Sequence, residues 1–231
     1  MARSGVVDQL WRYPVVGLQG EPLKTAQIVE QGVVGDRAYH LRDTDGKIIG
    51  SIPRHSENGA LNLRASTRDG AVVIESEGMS TSSDDRHFSQ TLEAAIGVSV
   101  RLEANPKLAT RAQNGRAIHL ISRQSLRAMK ESYPGGDFDV RRFRPNMVLS
   151  LADPQGSEER WTGRSLRVGT AVLRVEEPND RCVVTTLPQL GLGADERILK
   201  TITEKNGGNL GVMCSVERMG VASVGDPVFL A

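Results

Sequence analysis

Short apolar runs, cut again and again by Gly, Asp and Asn turns, limit what this chain can fold into. Asp45-Gly46 separates Tyr39-His40-Leu41 from Lys47-Ile48-Ile49. Asp69-Gly70 precedes Ala71-Val72-Val73-Ile74. Both pairs predict hairpins, because Asp-Gly tolerates the positive φ of a tight turn. Gly169-Thr170, between Leu166-Arg167-Val168 and Ala171-Val172-Leu173-Arg174-Val175, predicts another, with Gly first as a type II′ turn requires. Gly225-Asp226 marks a turn before Pro227-Val228-Phe229-Leu230. Three segments have helical spacing. One follows Asp84 as N-cap, with Phe88, Leu92, Ala95 and Ile96 on one face and Gly97 as the stop. A second starts near Ser122 and runs toward Pro134. A third follows Asp195, carries Ile198, Leu199 and Ile202, and ends at Gly207. Many short strands with few helices predict a mainly β chain, a barrel or strongly bent sheet rather than layered α/β.

The chain has 231 residues and a net charge of +1. That length suits one large domain or two small ones sharing a core. No global field recruits nucleic acid or membrane. The basic residues are scattered apart from Arg141, Arg142 and Arg144, and no stripe with interleaved aromatics suggests nucleic acid. Arg141 and Arg142 are expected to face solvent. No apolar run approaches the ~20 residues of a membrane span. The first residues lead straight into strand-like sequence without a leader pattern. The expectation is a cytoplasmic protein whose two cysteines, Cys182 and Cys214, are free thiols.

Several chemistries are missing. There is no Gly-x-Gly-x-x-Gly, no Gly-Lys-Ser/Thr phosphate loop, no Gly-x-Ser-x-Gly elbow and no His-Glu-x-x-His. The histidines (His40, His55, His87, His119) show no metal-ligand spacing, and no Cys-x-x-Cys exists. Asp43-x-Asp45-Gly46 has the start of a calcium loop, but Lys47 stands where the next ligand belongs, so it reads as a hairpin. What remains is a set of polar residues at turn-like positions. Gly35-Asp36-Arg37 and Phe143-Arg144-Pro145-Asn146 each precede a strand. Asp180-Arg181-Cys182 precedes Val183-Val184-Thr185-Thr186. Singly, each has an ordinary explanation: a surface pair for Arg37, packing for Arg144, a small buried hydrophobe for Cys182. Residue chemistry alone favours the buried thiol.

Taken together, these segments resemble the MOSC domain family, the domain of molybdenum-cofactor sulfurase C-termini, and within it the amidoxime-reducing components. The similarity spans nearly the whole chain. It includes Leu10-Trp11-Arg12-Tyr13-Pro14-Val15-Val16, Gly32-Val33-Val34-Gly35-Asp36-Arg37, His119-Leu120-Ile121-Ser122, Arg144-Pro145-Asn146, Trp161-Thr162-Gly163-Arg164, Asp180-Arg181-Cys182 and Gly225-Asp226-Pro227-Val228. The resemblance implies a MOSC-type β-barrel over residues 106–231 and an N-terminal β-rich region over 1–105, sharing one core. It implies a molybdenum–molybdopterin cofactor, with Cys182 as catalytic residue and metal ligand. Arg144 is then a phosphate contact, Arg37 and Ser122 face the cofactor, Asp180 and Arg181 flank the ligand, and Asn146 supports the site. The chemistry suits those roles: guanidinium forks match phosphate, a helix N-terminus near Ser122 offers amides to an anion, and a thiolate is a soft ligand. Pyridoxal phosphate binding is also associated with the family. The implied activity is reduction of N-hydroxylated small molecules, with electrons from a separate donor protein (a reductase, ferredoxin or cytochrome b5-like protein). A sulfur-transfer or cofactor-carrier protein with a persulfide on Cys182 is the alternative, and a non-catalytic anion-binding barrel a further one. The sequence departs from amidoxime-reducing relatives where they carry Lys-Ser: Val16 and Gly17 stand there.

Overall fold

The tight turns form where the Asp-Gly and Gly-Thr pairs fall. The computed structural model describes residues 3–50, 60–107 and 112–231. Asp69 and Gly70 have φ of 49° and 84°, and Arg68 lies opposite Ala71. Both central residues thus take the positive φ that matches strand twist. Gly169 has φ 56°, and a Cβ there would lie 2.2 Å from the Val221 carbonyl oxygen, so only Gly fits. In the Asp45-Gly46 turn, the Lys47 N–H donates to Asp43 Oδ1 at 2.7 Å, and Leu41 pairs with Ile49.

In chain order the elements are β1 (Arg3–Arg12), β2 (Glu21–Leu23), β3 (Thr25–Val29), β4 (Gly32–Val33), β5 (Tyr39–Asp43), β6 (Ile48–Ile49), β7 (Arg64–Arg68), β8 (Ala71–Ser76) and β9 (Met79–Ser82). Then come α1 (Phe88–Ile96), β10 (Val100–Ala104), β11 (Ile118–Ser122), α2 (Arg123–Ser132), β12 (Met147–Leu151), β13 (Ser165–Val168), β14 (Ala171–Asp180), α3 (Arg197–Asn206), β15 (Asn209–Arg218), β16 (Gly220–Ser223) and β17 (Pro227–Leu230). Strand β1 pairs with both β12 and β17, which closes the order β1-β12-β11-β15-β14-β13-β17 into a seven-stranded barrel. The fold is mainly β with three α-helices among the described residues, as the turn pattern predicts.

Alternation fills the barrel. In β14, Ala171, Leu173 and Val175 point in, to meet Val7, Leu10, Leu120, Leu149, Leu166 and Val212. Strand β11 is buried on both faces, because α2 and α3 cover its outer side with Leu126, Met129, Ile198 and Ile202. A separate core of Leu18, Leu41, Ile49, Ile74, Leu92 and Val100 gathers β5–β10 around α1.

The helix ends follow local chemistry with one correction. The Ser122 hydroxyl accepts the Ser125 N–H at 3.0 Å, Asp195 accepts that of Arg197 at 3.0 Å, and Gly97 and Gly207 close their helices in the left-handed region. Asp84 does not cap α1. That helix begins three residues later than the cap position requires, and it is Asp85 that accepts the His87 N–H. Among the described residues no helix is long and apolar enough to cross a membrane.

Candidate functional site

Three segments come together beside His119. Tyr13 leaves β1, Phe143–Asn146 enters β12, and Asn179–Cys182 leaves β14. Tyr13 and Phe143–Asn146 share one end because β1 runs antiparallel to β12, and Arg181 ties the segment that follows β14 to them by donating to the Phe143 carbonyl at 2.9 Å. The turn carrying Arg37 joins them: the Arg37 N–H donates to the Tyr13 carbonyl at 2.6 Å, and the Tyr13 N–H to Asp36 Oδ1 at 2.8 Å.

The result is a cleft of about 300 Å³, lined by Arg37, Arg116, His119, Phe143, Arg144, Asn179, Asp180, Arg181, Cys182 and Met213. Its guanidiniums are held mainly by rings and carbonyls. Those of Arg37 and Arg144 lie 5.1 and 4.6 Å from the centre of the Tyr13 ring, and that of Arg181 lies 5.5 Å from the Phe143 ring. Arg181 also donates to the Phe143 carbonyl at 2.9 Å, and Arg37 pairs with Asp36. Burial, with the neighbouring Arg37 charge, holds Arg144 down to about 10, and burial does the same for Arg181. Arg144 Nη1, Arg181 Nε and His119 Nε2 are buried without a hydrogen-bond partner. Burial, then the charges of Arg181 and Arg37, keeps His119 well below its usual range and thus neutral. Donors of this kind, desolvated and clustered, suit a multiply charged anion. The residues present therefore fit the phosphate end of a pterin cofactor.

Backbone strain concentrates here as well. Among the described residues only Arg37, Asp69 and Arg144 are non-Gly with positive φ. Asp69 belongs to a tight turn. Arg37 (φ 53°) and Arg144 (φ 54°) both line the cleft, and each such conformation costs about 1–2 kcal/mol.

Cys182 is exposed at the cleft mouth, whereas Cys214 is buried in the barrel core. Asp180 reaches the rim and pairs with Arg116 at 3.1 Å. Arg37, Arg144, Asp180, Arg181 and Cys182 thus come together. Ser122 and Asn146 do not line the cleft. Ser122 lies at the far end of β11, and its hydroxyl is spent on the α2 N-terminus. Asn146 is fully buried beneath the cleft, where its Oδ1 accepts the His119 N–H at 3.2 Å and its Nδ2 donates to the Trp11 carbonyl at 3.4 Å. Arg142 corrects an expectation. It does not face solvent: it is buried, and it donates to the carbonyls of Asp137, Thr185, Leu187 and Gly193. Arg141 is part-buried and paired with Asp139 at 2.9 Å. Val183–Thr186 is a 3₁₀ turn instead of a strand.

Sequence reasoning passed over Tyr13, Arg116, His119 and Met213. The signal for His119 was the period of two in β11, which puts it on the opposite face from Ser122.

Residues 86–229 match the model for the MOSC domain, and residues 4–83 the model for the MOSC N-terminal beta barrel domain. The chain belongs to the MOSC domain family. That family is associated with molybdenum-cofactor-binding proteins. Among solved structures, this MOSC chain is similar to the YUAD protein from Bacillus subtilis, with a TM-score of 0.56, 12% identity, and 98% of this chain and 95% of that one covered. YiiM from Geobacillus stearothermophilus (TM-score 0.39, 24% identity, 50% and 54% covered) and YiiM from Escherichia coli (0.38, 19%, 56% and 58%) match about half of the chain. The first of these supports the fold. No curated protein matches the chain.

Proposed function

We propose that the cleft holds a molybdopterin-type cofactor, with Cys182 as the protein ligand to molybdenum, and that the loaded protein reduces N-hydroxylated small molecules using electrons from a separate donor protein. The observation that carries this reading is the convergence of Arg37, Arg144 and Arg181, two of them with unpartnered buried donors, beside an exposed cysteine.

Each residue has a physical task. Arg144 Nη1 and Arg181 Nε are the free donors for the terminal phosphate. The Tyr13 ring and Asp36 fix the guanidinium planes before the anion arrives, which limits the entropy lost on binding. Arg116, tied to Asp180 and to Glu177 at 3.1 Å, holds a guanidinium in place at the rim. It lines the same cleft, and it offers a basic group in a chain that lacks Lys-Ser at Val16-Gly17. When bound, the cofactor supplies two-electron oxygen-atom chemistry. The protein's part is to anchor and orient it and to leave the thiolate accessible. Among the described residues no lysine lines the cleft, so none there is placed to form a pyridoxal phosphate Schiff base.

The exposure of Cys182 equally suits a persulfide, which supports a sulfur-carrier role as the second reading. Metal analysis of protein from a molybdenum-competent host separates the two. The enzyme reading expects molybdenum near one per chain, lost in Cys182→Ala and kept in Cys214→Ala. A persulfide mass on Cys182 without metal favours the carrier. Neither result rejects both.

A further inference from the structure

A second depression opens on the other side of the Cys182–Val183 peptide bond. It has a volume of about 590 Å³ and lies between the Val183–Thr186 turn and α3. Val183, Leu187, Ala194 and Leu199 line it with carbon. Thr186 and Thr203 also line it, but their hydroxyls donate to the Val183 carbonyl at 2.7 Å and the Leu199 carbonyl at 2.9 Å. Both threonines have their polar atoms engaged with backbone. Val183 is 42% exposed, so its side chain is open to a molecule lying in the groove.

The rim carries charge of one excess sign. Lys200 and Glu204 pair at 3.9 Å, and Glu196 at the start of α3 has no ion-pair partner among the described residues. The groove is therefore apolar inside and acidic at its edge. The cleft behind Cys182 is cationic. Cys182 sits at the boundary between the two, one residue or about 3.8 Å of chain from Val183.

We infer that this groove is the subsite for the body of the substrate: an aryl or branched alkyl group, neutral or cationic, whose reacting end lies at Cys182. The inference rests on Cys182 being the reacting centre. It needs no statement about which group is bound behind it. The volume falls in the range of small-molecule sites, and the contiguity commits the occupant to a molecule that touches both the groove and the thiol. Carboxylate-bearing analogues are disfavoured by Glu196.

Thiol labelling tests this on the metal-free protein. N-phenylmaleimide and N-methylmaleimide share one reacting group, so the ratio of their rates at Cys182, divided by the same ratio for glutathione, reports contact made by the ring. The expected enrichment is about five- to tenfold, the scale of burying half a phenyl ring. Thr203→Trp and Ala194→Trp, which fill the groove from two sides at exposed positions, are expected to bring the ratio back to that of glutathione. N-(4-carboxyphenyl)maleimide is expected to lose most of the enrichment and to regain it in Glu196→Lys. A wild-type ratio equal to that of glutathione overturns the subsite, as does an enrichment that survives both tryptophan variants. Equal enrichment for the carboxyphenyl probe overturns the charge selectivity. Because no metal is present, these outcomes are independent of the molybdenum analysis, and either idea can fail alone.

Discussion

Replacing Arg142 by Met tests whether this buried cation organises the segment that follows Cys182. The substitution keeps most of the aliphatic bulk and removes every donor. Four carbonyls are involved: Asp137 at 2.8 Å, Gly193 at 2.7 Å, and Leu187 and Thr185 at 3.3 and 3.4 Å. The two short bonds decide the magnitude. Hydrogen bonds to a charged group contribute about 1.5–3 kcal/mol each, while bonds near 3.4 Å add little. The gross loss is thus about 3–6 kcal/mol. Relief from burying a guanidinium offsets part of it, because burial of a cation is itself unfavourable. A net loss of about 3 kcal/mol follows, which in a domain of this size lowers Tm by roughly 6–12 °C. Arg142→Lys retains a charge but only a single nitrogen, and is expected to lose about half as much. Urea titration measures both, with an unchanged m-value showing that the unfolded state is comparable. Hydrogen exchange should speed up between residues 185 and 193, since three of the four carbonyls lie there. A loss below about 1 kcal/mol in Arg142→Met would mean that water satisfies the carbonyls and that the arginine does not hold the loop.

Arg144→Gly should stabilise the ligand-free protein by about 1 kcal/mol, by relieving a left-handed backbone and an unpartnered buried donor, while weakening inorganic phosphate binding measured by calorimetry. Equal phosphate affinity in the variant would remove Arg144 from the anion site. Native protein should take up one iodoacetamide, at Cys182, because burial pushes the Cys214 thiol far up and closes it off; prompt double labelling contradicts this. His119 is held below 6.5 in the fold, so the unfolded ring binds a proton that the folded ring refuses. Its contribution to stability is intact above about pH 6.5 and falls as pH drops below it, by up to ~1.4 kcal/mol per pH unit. His119→Gln should flatten that limb of the urea-stability profile, and an unchanged slope would assign it to other groups.

The barrel was legible because its turns are. Asp69-Gly70 and Gly169 need positive φ, and few residues besides Gly, Asp and Asn supply it. The helix stops at Gly97 and Gly207 were legible for the same reason. Side-chain destinations were harder. A Ser before a helix looks identical in sequence whether its hydroxyl meets an anion or caps its own amides, and Ser122 does the latter. Arg142 and Arg144 are two residues apart, yet the 3₁₀ turn at Val140–Arg142 sends one into the loop carbonyls and the other into the cleft. Val183–Thr186 has the β-branched composition of a strand. The Thr185 and Thr186 hydroxyls instead bond back to the carbonyls of Cys182 and Val183, at 3.0 and 2.7 Å, and this local closure wins over β-propensity. The cationic cleft draws on positions 37, 116, 144 and 181, which only barrel closure brings together.

Strand β1 has a consequence for how the protein can be made and handled. Its partners lie some 150 and 220 residues away along the chain, as in the pairings of Gly5 with Leu151 and with Val228. Such distant pairings form slowly, after most of the chain is available. Until then β12 and β17 are open edges that can recruit another molecule's strand. A fragment cut to the MOSC match at residues 86–229 would keep those edges exposed permanently. Strand β1 thus acts as the clasp of the barrel, and a truncated chain without it is a candidate for strand exchange between copies.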